Sequence, residues 1–175
     1  EILGAGQWRG TSHTVWRNVV PTFIWKSLHG EALPLDNSGN TSRDFIFVED
    51  TVKGLLACAV NGKAGEVYNL ASGVETSIFE LAKMINTFIG NQTPVDLRPA
   101  RDWDRSGKRF GSVDKAREKL GFEAKVSLAE GLGRTITWTK HEQENILRTM
   151  LTHSYFVPDV LRYVETNNRG AENVR

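Results

Sequence analysis

Three residues in this chain have the types and spacing to hold an anionic, hydroxylated ligand: Arg43, Arg101 and Asp104. Arg43 stands just before the apolar run Phe45-Ile46-Phe47-Val48, an entrance at which neither a packed strand nor a packed helix needs a cation. Arg101 and Asp104 lie in the polar loop 98-RPARDWDRSGKRFG-111, crowded with Arg98, Arg105, Lys108 and Arg109. A guanidinium presents a planar fork that matches phosphate through two parallel bonds, which an ammonium cannot do. A carboxylate has two acceptor oxygens, so an Asp three residues beyond an Arg can take both hydroxyls of a ribose. A diphosphate joined to a ribose is a sensible ligand for such a set. The residue types alone also allow a blander arrangement, in which Arg43 pairs with Asp44, Glu49 or Asp50 and the loop is merely solvated.

Other chemistry is thinly represented. The histidines (His13, His29, His141, His153) show no ligand-like pairing, and the lone Cys58 has no Cys/His framework around it. No Tyr is followed by Lys four positions later: Tyr68 leads to Ser72, Tyr155 to Asp159 and Tyr163 to Asn167. The stretch 2-ILGAGQWRG-10 superficially matches a dinucleotide fingerprint, but Arg9 occupies the third glycine position and no helical pattern follows. No acid, base or nucleophile stands out in this sequence.

The elements that must position these residues follow from periodicity and punctuation. Residues 1–17 read as a loop. Asn18 to His29 reads as a helix with Val19, Val20, Phe23, Ile24 and Leu28 at helical spacing, Pro21 in the first turn and Gly30 as the stop. Asp36-Asn37-Ser38-Gly39-Asn40 is a turn cluster. Phe45–Val48 predicts a buried strand, and Asp50 or Thr51 the cap of a helix running to about Val60, with 61-NGKAG-65 as a turn. Val67–Leu70 predicts a second strand and Val95–Leu97 a third. Ser77-Ile78-Phe79-Glu80 and Ser127-Leu128-Ala129-Glu130 read as capping boxes, each opening a helix. Val113–Leu120 predicts a short helix ended by Gly121. Beyond Lys140, Met150, Leu151, Phe156, Val157, Val160, Leu161 and Val164 predict one or two docking helices around Pro158, and residues 166–175 a polar tail.

At 175 residues, with 39% apolar and 25% charged side chains, the chain can bury a real core. Its 22 basic and 21 acidic residues leave a net charge of +1, with no block of one sign, which disfavours nucleic acid or an anionic membrane as partner. No apolar run reaches the length of a membrane span. Cys58, set among Leu55, Leu56, Ala57 and Ala59, is expected to be a reduced, buried thiol in a cytoplasmic protein. The chain opens at Glu1 without Met, in what reads as a loop, so a preceding part is expected.

The order of several short motifs resembles the C-terminal half of the extended short-chain dehydrogenase/reductase family, the NAD-dependent nucleotide-sugar epimerases and dehydratases. The residues that carry the resemblance are Asn18-Val19-Val20-Pro21, Arg43-Asp44-Phe45-Ile46-Phe47-Val48-Glu49-Asp50 and Val67-Tyr68-Asn69-Leu70-Ala71-Ser72-Gly73. They continue with Arg101-Asp102-Trp103-Asp104, Asp114-Lys115-Ala116, Leu120-Gly121-Phe122 and Gly131-Leu132-Gly133-Arg134-Thr135-Ile136. The resemblance implies an α/β fold: the substrate-binding portion, short strands plus helices, of a Rossmann-type enzyme. It divides the chain into a nucleotide-sugar-binding part over residues 1–140 and a helical extension with a polar tail over residues 141–175.

By resemblance, Asn18 and Val19 lie at the diphosphate or sugar-phosphate, Leu35 packs on the nucleobase, Arg43 holds a phosphate and Phe45 sits close to the same pocket. Arg101 contacts the diphosphate and Asp104 the ribose. Trp8, Arg9, Trp16 and Arg17 are placed near the sugar end without individual roles. The implied cofactor is NAD, bound by an N-terminal Rossmann half that also carries the catalytic Tyr-x-x-x-Lys; neither that motif nor the glycine-rich loop is in this sequence. The implied partners are a nucleotide sugar and the Rossmann half, with a homodimer left open. The implied activity is UDP-sugar 4-epimerase-like, this chain alone being inactive. A non-catalytic nucleotide-sugar-binding or regulatory module of the same superfamily is the alternative, and an RNA-binding relative a third reading. The family's Gly-Asp/Asn-Gly turn reads Asp36-Asn37-Ser38-Gly39 here, a departure that bears on Leu35.

Overall fold

The computed structural model describes residues 2–3, 18–102 and 107–153. The chain mixes helices with short strands, as the sequence predicts. Helix α1 (Val19–Leu28) buries Val20, Phe23 and Ile24 and stops at Gly30, which adopts φ +70°. Strand β2 (Pro34–Leu35) runs parallel to β6 (Asp96–Leu97). Strand β3 (Ser42–Asp44) is central in a three-stranded sheet, antiparallel to β5 (Glu75–Ser77) and parallel to β7 (Lys108–Arg109). Strand β4 (Ile46–Phe47) pairs in parallel with β1 (Ile2–Leu3).

The run 45-FIF-47 is apolar throughout because it separates two cores. Phe45 and Phe47 join Val20, Phe23, Ile24, Leu33, Leu35, Leu81, Ile85, Leu132 and Ile136 in the larger one. Ile46 packs with Ala116, Leu120 and Phe122 in the smaller. Successive side chains of extended backbone point to opposite sides, so a chain buried on both sides loses its polar alternation.

Helix α2 (Val48–Asn61) begins directly after β4, with Glu49 and Asp50 in its first turn, where the helix dipole favours acidic groups. Helix α3 (Ile78–Ile89) has the full capping box. Ser77 Oγ accepts from Glu80 N at 3.1 Å, and the Glu80 carboxylate accepts from Ser77 N at 2.9 Å. Helices α4 (Asp114–Leu120), α5 (Leu128–His141) and α6 (Gln143–His153) follow. Gly121 closes α4 at φ +65°.

Several expectations are corrected. The strand at 45–48 ends at Phe47, since Val48 already belongs to α2, and Asp50 caps nothing. Its buried carboxylate instead accepts the backbone N–H groups of Lys125 at 2.8 Å and Val126 at 2.7 Å. Val67–Leu70 forms no strand: Val67 is exposed and no strand pairs with this segment. The second capping box is half made. Ser127 Oγ accepts from Glu130 N at 3.2 Å, while the Glu130 carboxylate turns to Arg134. Cys58 is half-buried beside the smaller core, on a helix whose Val52, Leu55, Leu56 and Val60 are 50–80% exposed. The expected helices around Pro158 and the tail lie outside the described residues; α6 accounts for the segment up to His153. Among the described residues no helix is long and apolar enough to cross a membrane.

Candidate functional site

On β3, Ser42 and Asp44 are buried and Arg43 between them is half-buried, the alternation of a strand with one covered face. Both buried neighbours fasten the strand. Asp44 accepts from Ser72 N at 2.8 Å and Ser72 Oγ at 2.7 Å through one oxygen, and from Gly73 N at 2.8 Å through the other. Ser42 Oγ donates to Glu75 at 2.5 Å. Arg43 is thereby held on an anchored strand, and its Nη1 donates to Ser42 O at 2.7 Å and Gly107 O at 3.1 Å. Of the acids considered as alternative partners, Glu49 pairs with Arg134 at 3.1 Å and Asp50 with Lys53 at 3.3 Å.

Arg43 opens onto a cleft of about 600 Å³, which Asp44, Asn69, Lys108, Arg109 and Phe110 also line. Asn69 is set by a bond from its Nδ2 to Ser112 O at 3.1 Å, and Lys108 lies 3.6 Å from Glu75. Three cations facing one open cleft attract an anion. The Asp44 carboxylate, already accepting three donors, is the only acid among the described residues lining it.

The loop between β6 and β7 is tethered at both ends. Its start is held by the turn Asp36–Gly39, where Asn37 N donates to Pro99 O at 3.3 Å and Ser38 N to Arg98 O at 3.1 Å. Asn37, Ser38 and Gly39 all adopt positive φ (50°, 51° and 75°) to make that turn. Its end is held by β7 against β3.

The other expected site residues fall in different places. Arg101 forms an ion pair with Asp36 at the tethered start of the loop and does not line the Arg43 cleft. Asn18 is exposed at the start of α1; its carbonyl accepts from Thr22 Oγ1 at 2.8 Å and its side chain makes no capping bond. Val19 is half-buried against the larger core. Leu35 and Phe45, 0% and 3% exposed, are members of that core, so their side chains do not reach the cleft. Asp104 lies outside the described residues, as do Trp8, Arg9, Trp16, Arg17 and Trp103. Lys108, Arg109, Asn69 and Phe110 had not been expected here. The basic loop was the signal for the first two, but only the β3–β7 register shows which of its cations meet Arg43.

Comparison with known proteins gives a consistent set of likenesses. The profile of the NAD-dependent epimerase/dehydratase family matches residues 2–71, which include Arg43. The chain is 34% identical over 127 residues to UDP-glucuronic acid decarboxylase 1 of Danio rerio, covering 73% of this chain and 30% of that protein. It is 30% identical over 126 residues to UDP-glucose 4-epimerase of Mycolicibacterium smegmatis, covering 72% and 40%. Among solved structures, the Bordetella bronchiseptica enzyme WbmF in complex with NAD+ and UDP superposes with a TM-score of 0.74 at 57% identity. That match covers 91% of this chain and 48% of the enzyme. The chain thus spans about half the length of the solved relative and less of the curated ones.

Proposed function

As this chain belongs to the NAD-dependent epimerase/dehydratase family, we propose that it forms the part of such an enzyme that holds the nucleotide sugar. The ligand in this reading is a UDP-sugar, and the reaction served is 4-epimerisation. The observation that carries it is Arg43. Its guanidinium is oriented by two backbone carbonyls at the mouth of a cleft that also bears Lys108 and Arg109. A preoriented guanidinium loses little freedom when a phosphate arrives, so more of the bond energy appears as affinity.

NAD gives the family its name and supplies hydride exchange with the sugar when bound. The described residues do not fit it. Dinucleotide sites place a glycine-rich turn between a strand and a helix. Here β4 passes into α2 at Phe47-Val48 and β5 into α3 at Ser77-Ile78, with no glycine at either passage. In this reading NAD and the catalytic tyrosine belong to chain outside these residues, and the present residues bind and orient the sugar nucleotide without turning it over. The single Cys58 suits a reducing, cytoplasmic setting.

Calorimetry on the full-length protein with UDP, UDP-glucose and dTDP tests the reading. Tighter binding of the uridine ligands supports it, and binding of none of the three sinks it.

A further inference from the structure

We propose that a pocket of about 240 Å³ beside helix α3 binds a small organic carboxylate. The pocket shares no lining residue with the Arg43 cleft, and the inference does not depend on what that cleft holds. Phe79, Lys83 and Asn86 recur at spacings of four and three along α3, so they stand on one face of the helix. Val95, just ahead of β6, adds an apolar wall.

Asn86 decides what the pocket offers. Its Oδ1 accepts from Ser27 Oγ of α1 at 2.8 Å and from Asn91 Nδ2 at 3.1 Å, which occupies both lone pairs and fixes which end of the amide is which. Its Nδ2 keeps two N–H donors with no partner among the described residues. The arrangement is firmly held, because Asn91 Nδ2 also donates to Glu31 O at 3.0 Å and Thr93 Oγ1 to Gly30 O at 2.7 Å. Lys83, three residues before Asn86, is exposed, and its ammonium has no hydrogen bond or ion pair among the described residues.

No acid is among the described residues that line the pocket. The α3 carbonyls that would repel an anion are already bonded: Lys83 O accepts from Thr87 Oγ1 at 2.8 Å and Asn86 O from Gly90 N at 2.8 Å. An ammonium and an amide NH2 only donate, so together they match an anionic acceptor. Phe79, 46% exposed, and Val95 suit an apolar body behind that anion. A carboxylate on a small apolar group uses both features, whereas inorganic phosphate uses only the donors. The bonds of Asn86 also staple α3 to α1, and an exposed lysine is ordinarily just solvated; those roles alone predict no ligand.

The test is saturation-transfer NMR on the full-length protein, titrated with benzoate and with its neutral analogue benzamide. The pocket predicts saturable benzoate binding with a Kd on the order of millimolar, and benzamide binding at least about fivefold weaker. Lys83→Ala and Asn86→Asp should each weaken benzoate binding by about fivefold or more. Asn86→Asp keeps an oxygen for Ser27 and Asn91 and puts negative charge where the NH2 stood, so it reads the donor rather than the staple. Lys83→Ala alters an exposed side chain that holds nothing else in place. A thermal melt checks that both variants are folded. No saturable benzoate signal up to about 20 mM, some fivefold or more above the expected Kd, overturns the proposal. Equal binding of benzoate and benzamide overturns it too, as does undiminished benzoate binding in either folded variant.

Discussion

Asp44 accepts the backbone N–H of Gly73 at 2.8 Å, and that bond ties the strand carrying Arg43 to the loop carrying Asn69. Together with the two bonds from Ser72, it gives both carboxylate oxygens of this buried residue hydrogen-bond donors. The phosphate-binding geometry proposed for Arg43 depends on this buried link.

Asp44→Asn should destabilise the protein by about 1.5–3 kcal/mol, because an amide keeps one acceptor oxygen where two are in use and buries an NH2 beside backbone donors. Chemical denaturation checks the stability loss. The same variant should weaken UDP binding, through the displaced Arg43, under conditions where it is still folded. Wild-type stability in Asp44→Asn would mean that the three bonds contribute nothing net.

Asp50 joins α2 to the segment ahead of α5 and predicts a pH dependence. Burial works to raise its pKa, but the N–H groups of Val126 and Lys125 and the Lys53 ammonium outweigh burial and lower it below the ordinary value. A carboxyl with a folded pKa below its unfolded one adds stability that is complete above the unfolded pKa and is lost as pH falls through the folded one. Asp50→Asn should therefore cost about 1.5–3 kcal/mol at neutral pH. The gap to the wild type should stay constant on acidification until about pH 4 and narrow only below it. Urea midpoints over a pH series measure this. A gap that already closes near pH 6 would assign the effect to another group.

Gly39 predicts a steric cost. It adopts φ +75°, and a Cβ there would meet Phe79 N and Cβ at 2.9 Å, close to the start of α3. Backbone cannot yield as a side-chain end can, and left-handed φ is itself unfavourable for alanine by about 1–2 kcal/mol. Gly39→Ala should lower the unfolding free energy by roughly 2 kcal/mol or more, and should also loosen the tether of the loop that carries Arg101. A thermal melt at the wild-type temperature would contradict it.

The local parts of this molecule were legible in its sequence, and the distant pairings were not. Ser77 and Glu80 announce their capping box because both halves lie within four residues. Gly30, Gly90 and Gly121 stop helices by the same local logic, each at positive φ. Asp50 obeys the local rule for a cap, yet its partner Val126 is 76 residues away, and no nearest-neighbour pattern encodes that bond. Val67–Leu70 has strand composition but no strand beside it, so propensity misleads there. Arg43 stood out by its type before an apolar run. That Arg109 rather than Arg101 stands next to it was hidden, because the β3–β7 register joins segments more than sixty residues apart.

The most direct test of the account is calorimetry of the full-length protein with UDP-glucose, comparing the wild type with Arg43→Ala. The account predicts a loss of about 1.5–3 kcal/mol, roughly ten- to a hundredfold in affinity, with the melting temperature little changed. Equal affinities in two equally stable proteins would contradict it.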